Sequence, residues 1–298
     1  MSFIKDETKL SEINIPGTHD SGSFARMSSP GTELVAGSFY HCQSLDIKSQ
    51  LGAGVRFLDL RGYANSGSKQ IGVCHGDGDS HFDPRFDLWF DDILNDCVTF
   101  LSSHPSECII ILPKCDYRDQ SDFNNAWEAT YGIIHGSHNY PWYKGSDFWP
   151  QMKDLRGKLF LLTRNAGITT SNGAFINTWN DSNITKGISY YIQDYYKCDA
   201  NSLNNKVQQI EDCLITANND LSKDHLILNF WSGVDANLLH AKGSPEAVAN
   251  KVTPIVKTFL ADKPKGRYGI QIMDFIYVEV SLKVVCFNYG NCVSILLI

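Results

Sequence analysis

The chain has 298 residues, 43% of them hydrophobic, enough to bury a full core as one α/β barrel or as two smaller domains. Its formal net charge of −7 excludes the basic surface that non-specific nucleic-acid binding or general attraction to anionic membranes requires. Residues 1–7 lack a signal peptide's basic and apolar regions and no long apolar run follows, so a cytoplasmic or peripheral-membrane location is expected.

In chain order, short apolar segments end repeatedly on a polar or charged residue. Ile13–Ile15 leads to His19, Val55–Leu60 to Arg61, Ile71–Val73 to His75, and Ile109–Leu112 to Lys114. Further on, Leu159–Leu162 leads to Arg164, Tyr190–Ile192 to Asp194 and Tyr196, Leu226–Phe230 to Ser232, and Gly269–Ile272 to Asp274. Strand side chains alternate faces, so Phe57, Asp59 and Arg61 share one face, as do Ile110, Leu112 and Lys114, and Phe160, Leu162 and Arg164. Helical spacing falls between the strands, over Phe86–His104 (stopped by Pro105), Leu203–Asp220 and Pro245–Leu260. Eight such strands with fewer helices predict a single irregular TIM-type (β/α) barrel over residues 1–298, its ionisable groups converging on the C-terminal mouth. Residues 280–298 do not read as a final barrel helix, because Asn288, Gly290 and Asn291 interrupt the apolar pattern. The nine cysteines include no CxxC pair and read as scattered thiols rather than a zinc site.

The chemistry concentrates in three blocks. His19 lies in Ile15-Pro-Gly-Thr-His-Asp-Ser-Gly22, Arg61 in Val55-Arg-Phe-Leu-Asp-Leu-Arg-Gly62, and His75 in Val73-Cys-His-Gly76. Two imidazoles can divide a phosphodiester cleavage between a proton acceptor and a proton donor, since the histidine pKa lies near neutrality. An arginine between them can hold a phosphate through two parallel hydrogen bonds. Asp59 and Arg61 also suit a structural ion pair, and Asp274 suits a helix N-cap. Lys114, Arg164, Asp194 and Tyr196 are weak signals one by one.

These blocks resemble the X domain of bacterial-type phosphatidylinositol-specific phospholipase C. Leu112-Pro-Lys114, Thr163-Arg164, Gln193-Asp-Tyr-Tyr196 and Met273-Asp-Phe275 resemble its later strands, so the likeness spans roughly residues 8–279. The resemblance implies a distorted barrel that cleaves phosphatidylinositol to diacylglycerol and inositol 1,2-cyclic phosphate. It implies His19 as general base oriented by Asp274, and His75 as general acid assisted by Asp20. Arg61 would bind the phosphate, Asp59 would hold His75 or Arg61 in register, and Lys114, Arg164, Asp194 and Tyr196 would line the inositol pocket. No cofactor or metal is expected, because Arg61 takes the place of the calcium used by the animal enzymes. The Lys114-Cys115-Asp116 triplet departs from the family's Glu.

An inositol lipid is the expected partner, with transient membrane contact, no nucleic acid and a monomeric chain. Phe39-Tyr40, Trp231 and Leu238-Leu239 are the candidate membrane-facing segments. Two other readings compete: an inactive lipid-head-group-binding barrel, and a metal-dependent glycerophosphodiesterase. The second wants a Glu-x-Asp pair where this chain has Asp59-Leu60-Arg61.

Overall fold

Seven of the eight predicted strands form a continuous parallel sheet. The computed structural model describes residues 1–76, 82–168, 173–199, 203–235 and 243–289. Its strands are β1 (Ile15–Thr18), β2 (Phe57–Tyr63), β3 (Gly72–Cys74), β4 (Arg85–Trp89), β5 (Cys108–Cys115), β6 (Lys158–Thr163), β7 (Ala174–Phe175), β8 (Ile184–Lys186), β9 (Tyr190–Gln193), β10 (Leu226–Phe230) and β11 (Ile270–Met273). The helices are α1 (Pro30–Tyr40), α2 (Ile47–Gly52), α3 (Phe90–Ser103), α4 (Gln120–Thr130), α5 (Met152–Leu155), α6 (Asn204–Asn219), α7 (Pro245–Ala261) and α8 (Val278–Cys286). The sheet runs β7-β6-β5-β2-β1-β11-β10-β9-β8, parallel throughout except where β8 meets β9. This is the TIM-like barrel expected from the sequence, with a seam. Among the described residues no strand pairing joins its two ends. Side chains bridge the gap instead: the Tyr190 hydroxyl donates to Asn177 Oδ1, and the Thr178 N–H donates to Tyr190 at 3.3 Å.

Strand alternation separates two cores. Phe57, Ile110, Leu112, Phe160, Leu162, Ile192, Leu228 and Ile272 fill the barrel interior. Their neighbours Leu58, Leu60, Ile109, Ile111, Leu159 and Leu161 pack outward against Phe90, Ile93, Trp127 and Ile210 of the helices. Burial on both faces is why these segments are almost unbroken apolar runs. At Gly17 a side chain is barred, since a Cβ would stand 2.9 Å from the Cβ of Phe57 across the β1–β2 pair.

Three sequence expectations change. Ile71–Val73 is not a barrel strand: β3 runs antiparallel to β2, pairing Gly62 with Val73, and continues antiparallel into β4. The helix expected from Phe86 starts at Phe90, because Arg85–Trp89 is taken by that hairpin; the Asp92 carboxylate then accepts the Trp89 N–H at 3.3 Å and caps the helix entry. The tail is helical through Cys286. Val280 and Val284 are buried, the Ser281 hydroxyl donates to Ala53 O at 2.6 Å, and Asn288 accepts the Asn14 N–H at 2.8 Å. Asn288 therefore serves as a tether to the start of β1, and the polar residue that broke the pattern has a structural use. Helices α1, α2, α4 and α5 were not legible from periodicity.

Candidate active site

The strand ends open onto a cavity of about 360 Å³, lined by His19, Arg61, His75, Lys114, Arg164, Asp194, Tyr196 and Asp274. Asp20 and Asp59 lie directly behind that lining, 0% and 1% exposed. All ten residues singled out in the sequence thus meet at one mouth.

His19 follows β1 immediately, and its N–H donates to Met273 O at 3.0 Å. Gln43 Nε2 donates to both His19 O and Met273 O at 2.8 Å, clamping the ends of β1 and β11 together. The clamp brings His19 Nδ1 to 2.7 Å from Asp274 Oδ1. With Nδ1–H donating to that carboxylate, Nε2 is left as the acceptor nitrogen. Asp20 takes a left-handed turn (φ +41°) and its N–H donates to Asp59 Oδ2 at 3.2 Å.

His75 arrives on the β3 hairpin that folds over the mouth. Its Nδ1 donates to Tyr40 O at 2.8 Å and lies 3.4 Å from Asp20 Oδ2. The two histidine rings are edge to face, with centroids 5.8 Å apart. Arg61 Nε donates to Asp59 Oδ2 at 3.1 Å and Nη1 to Asp116 Oδ2 at 3.3 Å. Asp59 holds Arg61 and stands 3.9 Å from His19 Nε2, so it does not serve His75, whose carboxylate partner is Asp20.

The remaining wall is cationic and aromatic. Lys114 Nζ pairs with Asp116, whose Oδ2 also accepts the Gly76 N–H at 3.1 Å. The Arg164 guanidinium lies 4.2 Å from the centroid of the Trp179 ring, and Trp179 Nε1 donates to Asp194 Oδ2 at 2.9 Å. Tyr196 donates its hydroxyl to Asp181 at the rim.

Burial works against every charge here, and neighbours decide which survive. It pushes Asp20 well above the usual carboxylate range, with Arg61 only partly offsetting it. Burial also opposes charge on Asp59 and Asp116, but Arg61 beside both, and Lys114 beside Asp116, hold these two below that range. Burial, then the positive charge of Arg61, depresses Lys114 and Arg164. The same two causes, joined by His19, lower His75 to about 3. Three cations and a neutral imidazole facing one cavity form a site that an anion would relax.

Asp116 and Trp179 were not among the sequence candidates. Asp116 shares a strand face with Lys114, so parity carried a signal for it. Trp179 sits in a loop with no periodic signature. Trp231, expected at the membrane, is 2% exposed and donates to Gln271 Oε1 at 2.9 Å, so it is core. Leu238-Leu239 lie outside the described residues.

Comparison with known proteins places the chain in a family. The PI-PLC X 1 family model matches residues 7–205, two thirds of the chain. The 1-phosphatidylinositol phosphodiesterase of Staphylococcus aureus (strain Newman) is 30% identical over 290 residues, covering 92% of this chain and 87% of that protein. The Listeria monocytogenes enzyme of the same name is 27% identical, covering 92% and 80%. A crystal structure of S. aureus phosphatidylinositol-specific phospholipase C superposes with a TM-score of 0.80 at 29% identity, over 96% of both chains. The L. monocytogenes phospholipase structure shares the fold, with a TM-score of 0.77 at 24% identity over 96% of this chain and 97% of that one. With that coverage by the family model and the staphylococcal relative, the chain belongs to the phosphatidylinositol-specific phospholipase C X-domain family, in its bacterial form.

Proposed function

We propose that this protein is a metal-independent phosphatidylinositol-specific phospholipase C that releases diacylglycerol and inositol 1,2-cyclic phosphate. The observation that carries the reading is a pair of carboxylate-backed imidazoles, His19–Asp274 and His75–Asp20, facing each other across the guanidinium of Arg61. In this reading His19 Nε2 takes the proton of the inositol 2-hydroxyl as that oxygen attacks phosphorus. The bond to the glycerol oxygen breaks, and His75 Nε2–H supplies its proton. Asp274 stabilises the imidazolium formed on His19, and Arg61 holds the phosphate oxygens where charge builds up. An internal nucleophile removes the entropy cost of a second reactant. Arg61 already pairs with Asp59 and Asp116, so those two carboxylates are not free to hold a catalytic divalent ion beside the phosphate.

The depressed His75 fits the acid role once the substrate is bound. A phosphodiester anion between Arg61 and His75 favours the imidazolium, with the Asp20 carboxyl group 3.4 Å from its Nδ1. Lys114, Arg164, Asp194 and Tyr196 offer donors and acceptors to the ring hydroxyls. Membrane docking is assigned to α1. Its Leu34 and Val35 are 87% and 70% exposed, and Phe39 of the same helix lines the cavity. Membrane binding has been modulated in the S. aureus phospholipase, whose structure from that work matches at 28% identity and a TM-score of 0.80 over 96% of both chains.

The test is phosphorus NMR of the products from phosphatidylinositol vesicles in excess EDTA. Cyclic phosphate should form first and at an undiminished rate. A 2-O-methyl inositol lipid should resist cleavage. Oxygen-18 from water in the first-formed phosphate, or activity that needs added calcium, overturns the reading.

A further inference from the structure

Behind the two catalytic histidines lies a thiol that the reaction does not use. Cys42 is wholly buried between the Asp20 turn and the Asp274 turn: its N–H donates to Ser23 Oγ at 3.0 Å and its carbonyl accepts the Phe275 N–H at 2.7 Å. Its Sγ lies 3.6 Å from His75 Nδ1, and Asp20 Oδ2 lies 3.4 Å from that same nitrogen. Sγ, Nδ1 and the Asp20 carboxylate oxygen all fall within 4.8 Å of one another. Both oxygens of Asp20 lack a hydrogen-bond partner although the residue is 0% exposed. A buried carboxylate that makes no hydrogen bond thus stands beside a thiol and an imidazole.

We propose that Asp20, Cys42 and His75 form an inhibitory binding site for a thiophilic divalent cation such as Zn²⁺ or Cd²⁺. The spacing fits the metal. Tetrahedral zinc with bonds of about 2.3 Å to sulfur and about 2.0 Å to nitrogen and oxygen separates S from N by about 3.5 Å and N from O by about 3.3 Å. The observed 3.6 and 3.4 Å lie within about 0.1 Å of these two edges. One sulfur, one nitrogen and one oxygen select zinc or cadmium over calcium or magnesium, which take oxygen alone. His75 lines the cavity, so the ion enters from the mouth, and a water from that side completes the shell. Binding sends the thiol proton, and any proton on Asp20, to solvent, shifts the His75 ring proton from Nδ1 to Nε2, and exchanges the Tyr40 hydrogen bond for a metal bond. With Nδ1 metallated, His75 cannot become the imidazolium; this inhibitory step rests on the acid role assigned to it above.

The experiment separates binding from inhibition. Cd²⁺ is titrated into the free protein and the ultraviolet thiolate-to-cadmium absorption is followed, with no substrate present. One Cd²⁺ per chain is expected to give the band, and Cys42→Ser to abolish it. Asp20→Asn and His75→Ala should each weaken Cd²⁺ at least about tenfold, the smallest loss that even an outer-shell partner causes. No band in the native protein, a band that persists in Cys42→Ser, or full affinity in both other variants overturns the site. Zn²⁺ should then inhibit cleavage of a soluble inositol phosphodiester in the native enzyme, with Cys42→Ser resistant. A cadmium band without inhibition overturns the inhibitory role and leaves the catalytic reading to its own test.

Discussion

The imidazole of His19 and the carboxylate of Asp274 lie 2.7 Å apart, although 255 residues separate them in the chain. Parallel pairing of β1 with β11, Thr18 opposite Met273, makes the contact, and Gln43 fixes it from the side. The first prediction concerns this pair. His19→Ala should lower turnover by about two to four orders of magnitude, the usual worth of a positioned proton acceptor. Asp274→Asn should keep the fold and lower kcat by less, since the amide still orients the ring but no longer balances its charge. An Asp274→Asn enzyme with native kcat across the pH profile would remove Asp274 from the mechanism.

His75→Ala should cost a similar factor on phosphatidylinositol and much less on a 4-nitrophenyl inositol phosphodiester, whose leaving group departs without a proton. The comparison needs only initial rates on the two substrates. Equal losses would show that His75 is not the acid.

Ligand binding should take up a proton. His75, lowered to about 3, is unprotonated in the free protein at neutral pH, and a bound phosphate anion raises it. Binding must then tighten as pH falls from about 7 to 5, by up to about one proton per ligand. Calorimetry of inositol 1,2-cyclic phosphate with the His19→Ala variant, in buffers of different ionisation enthalpy, measures the uptake. A buffer-independent enthalpy would contradict it.

Asp20 should trade stability for function. Its folded pKa is raised above the unfolded value, so the native state loses stability as pH climbs from the ordinary carboxylate range toward the raised value. Asn tolerates the left-handed backbone at this position. Asp20→Asn should therefore raise Tm by roughly a few °C at pH 7 and by less near pH 4, while kcat falls. A variant equally destabilised at both pH values would refute the buried-charge argument.

Leu34→Ala with Val35→Ala should reduce cleavage in vesicles and spare hydrolysis of soluble cyclic phosphate, because both side chains are exposed on α1. Unequal binding to vesicles by sedimentation would confirm the cause. Equal losses on the two substrates would mean that α1 shapes the cavity rather than the membrane contact.

The sequence by itself determined the barrel strands and most of the site. Alternation in a parallel strand is strictly local: Asp59 and Arg61, or Leu112 and Lys114, must share a face wherever the strand packs. The two-face burial that makes Leu58 and Ile109 apolar is equally legible, because both layers demand it. Partners were decided only in three dimensions. His75 reads as another barrel-strand terminus, yet it sits on an antiparallel hairpin, since β2 runs on past the barrel and pairs with β3. Asp59 was assigned between His75 and Arg61, and the fold gives it to Arg61 while Asp20 takes His75. Trp179 and Cys42 had no periodic signal, because loops are placed by the ends they connect rather than by their own pattern. Trp231 shows the converse: an aromatic residue after a strand reads as a membrane anchor until the Gln271 side chain that accepts its indole proton is seen. A side chain's face is a property of its own strand, whereas its partner is a property of how strands distant in sequence align.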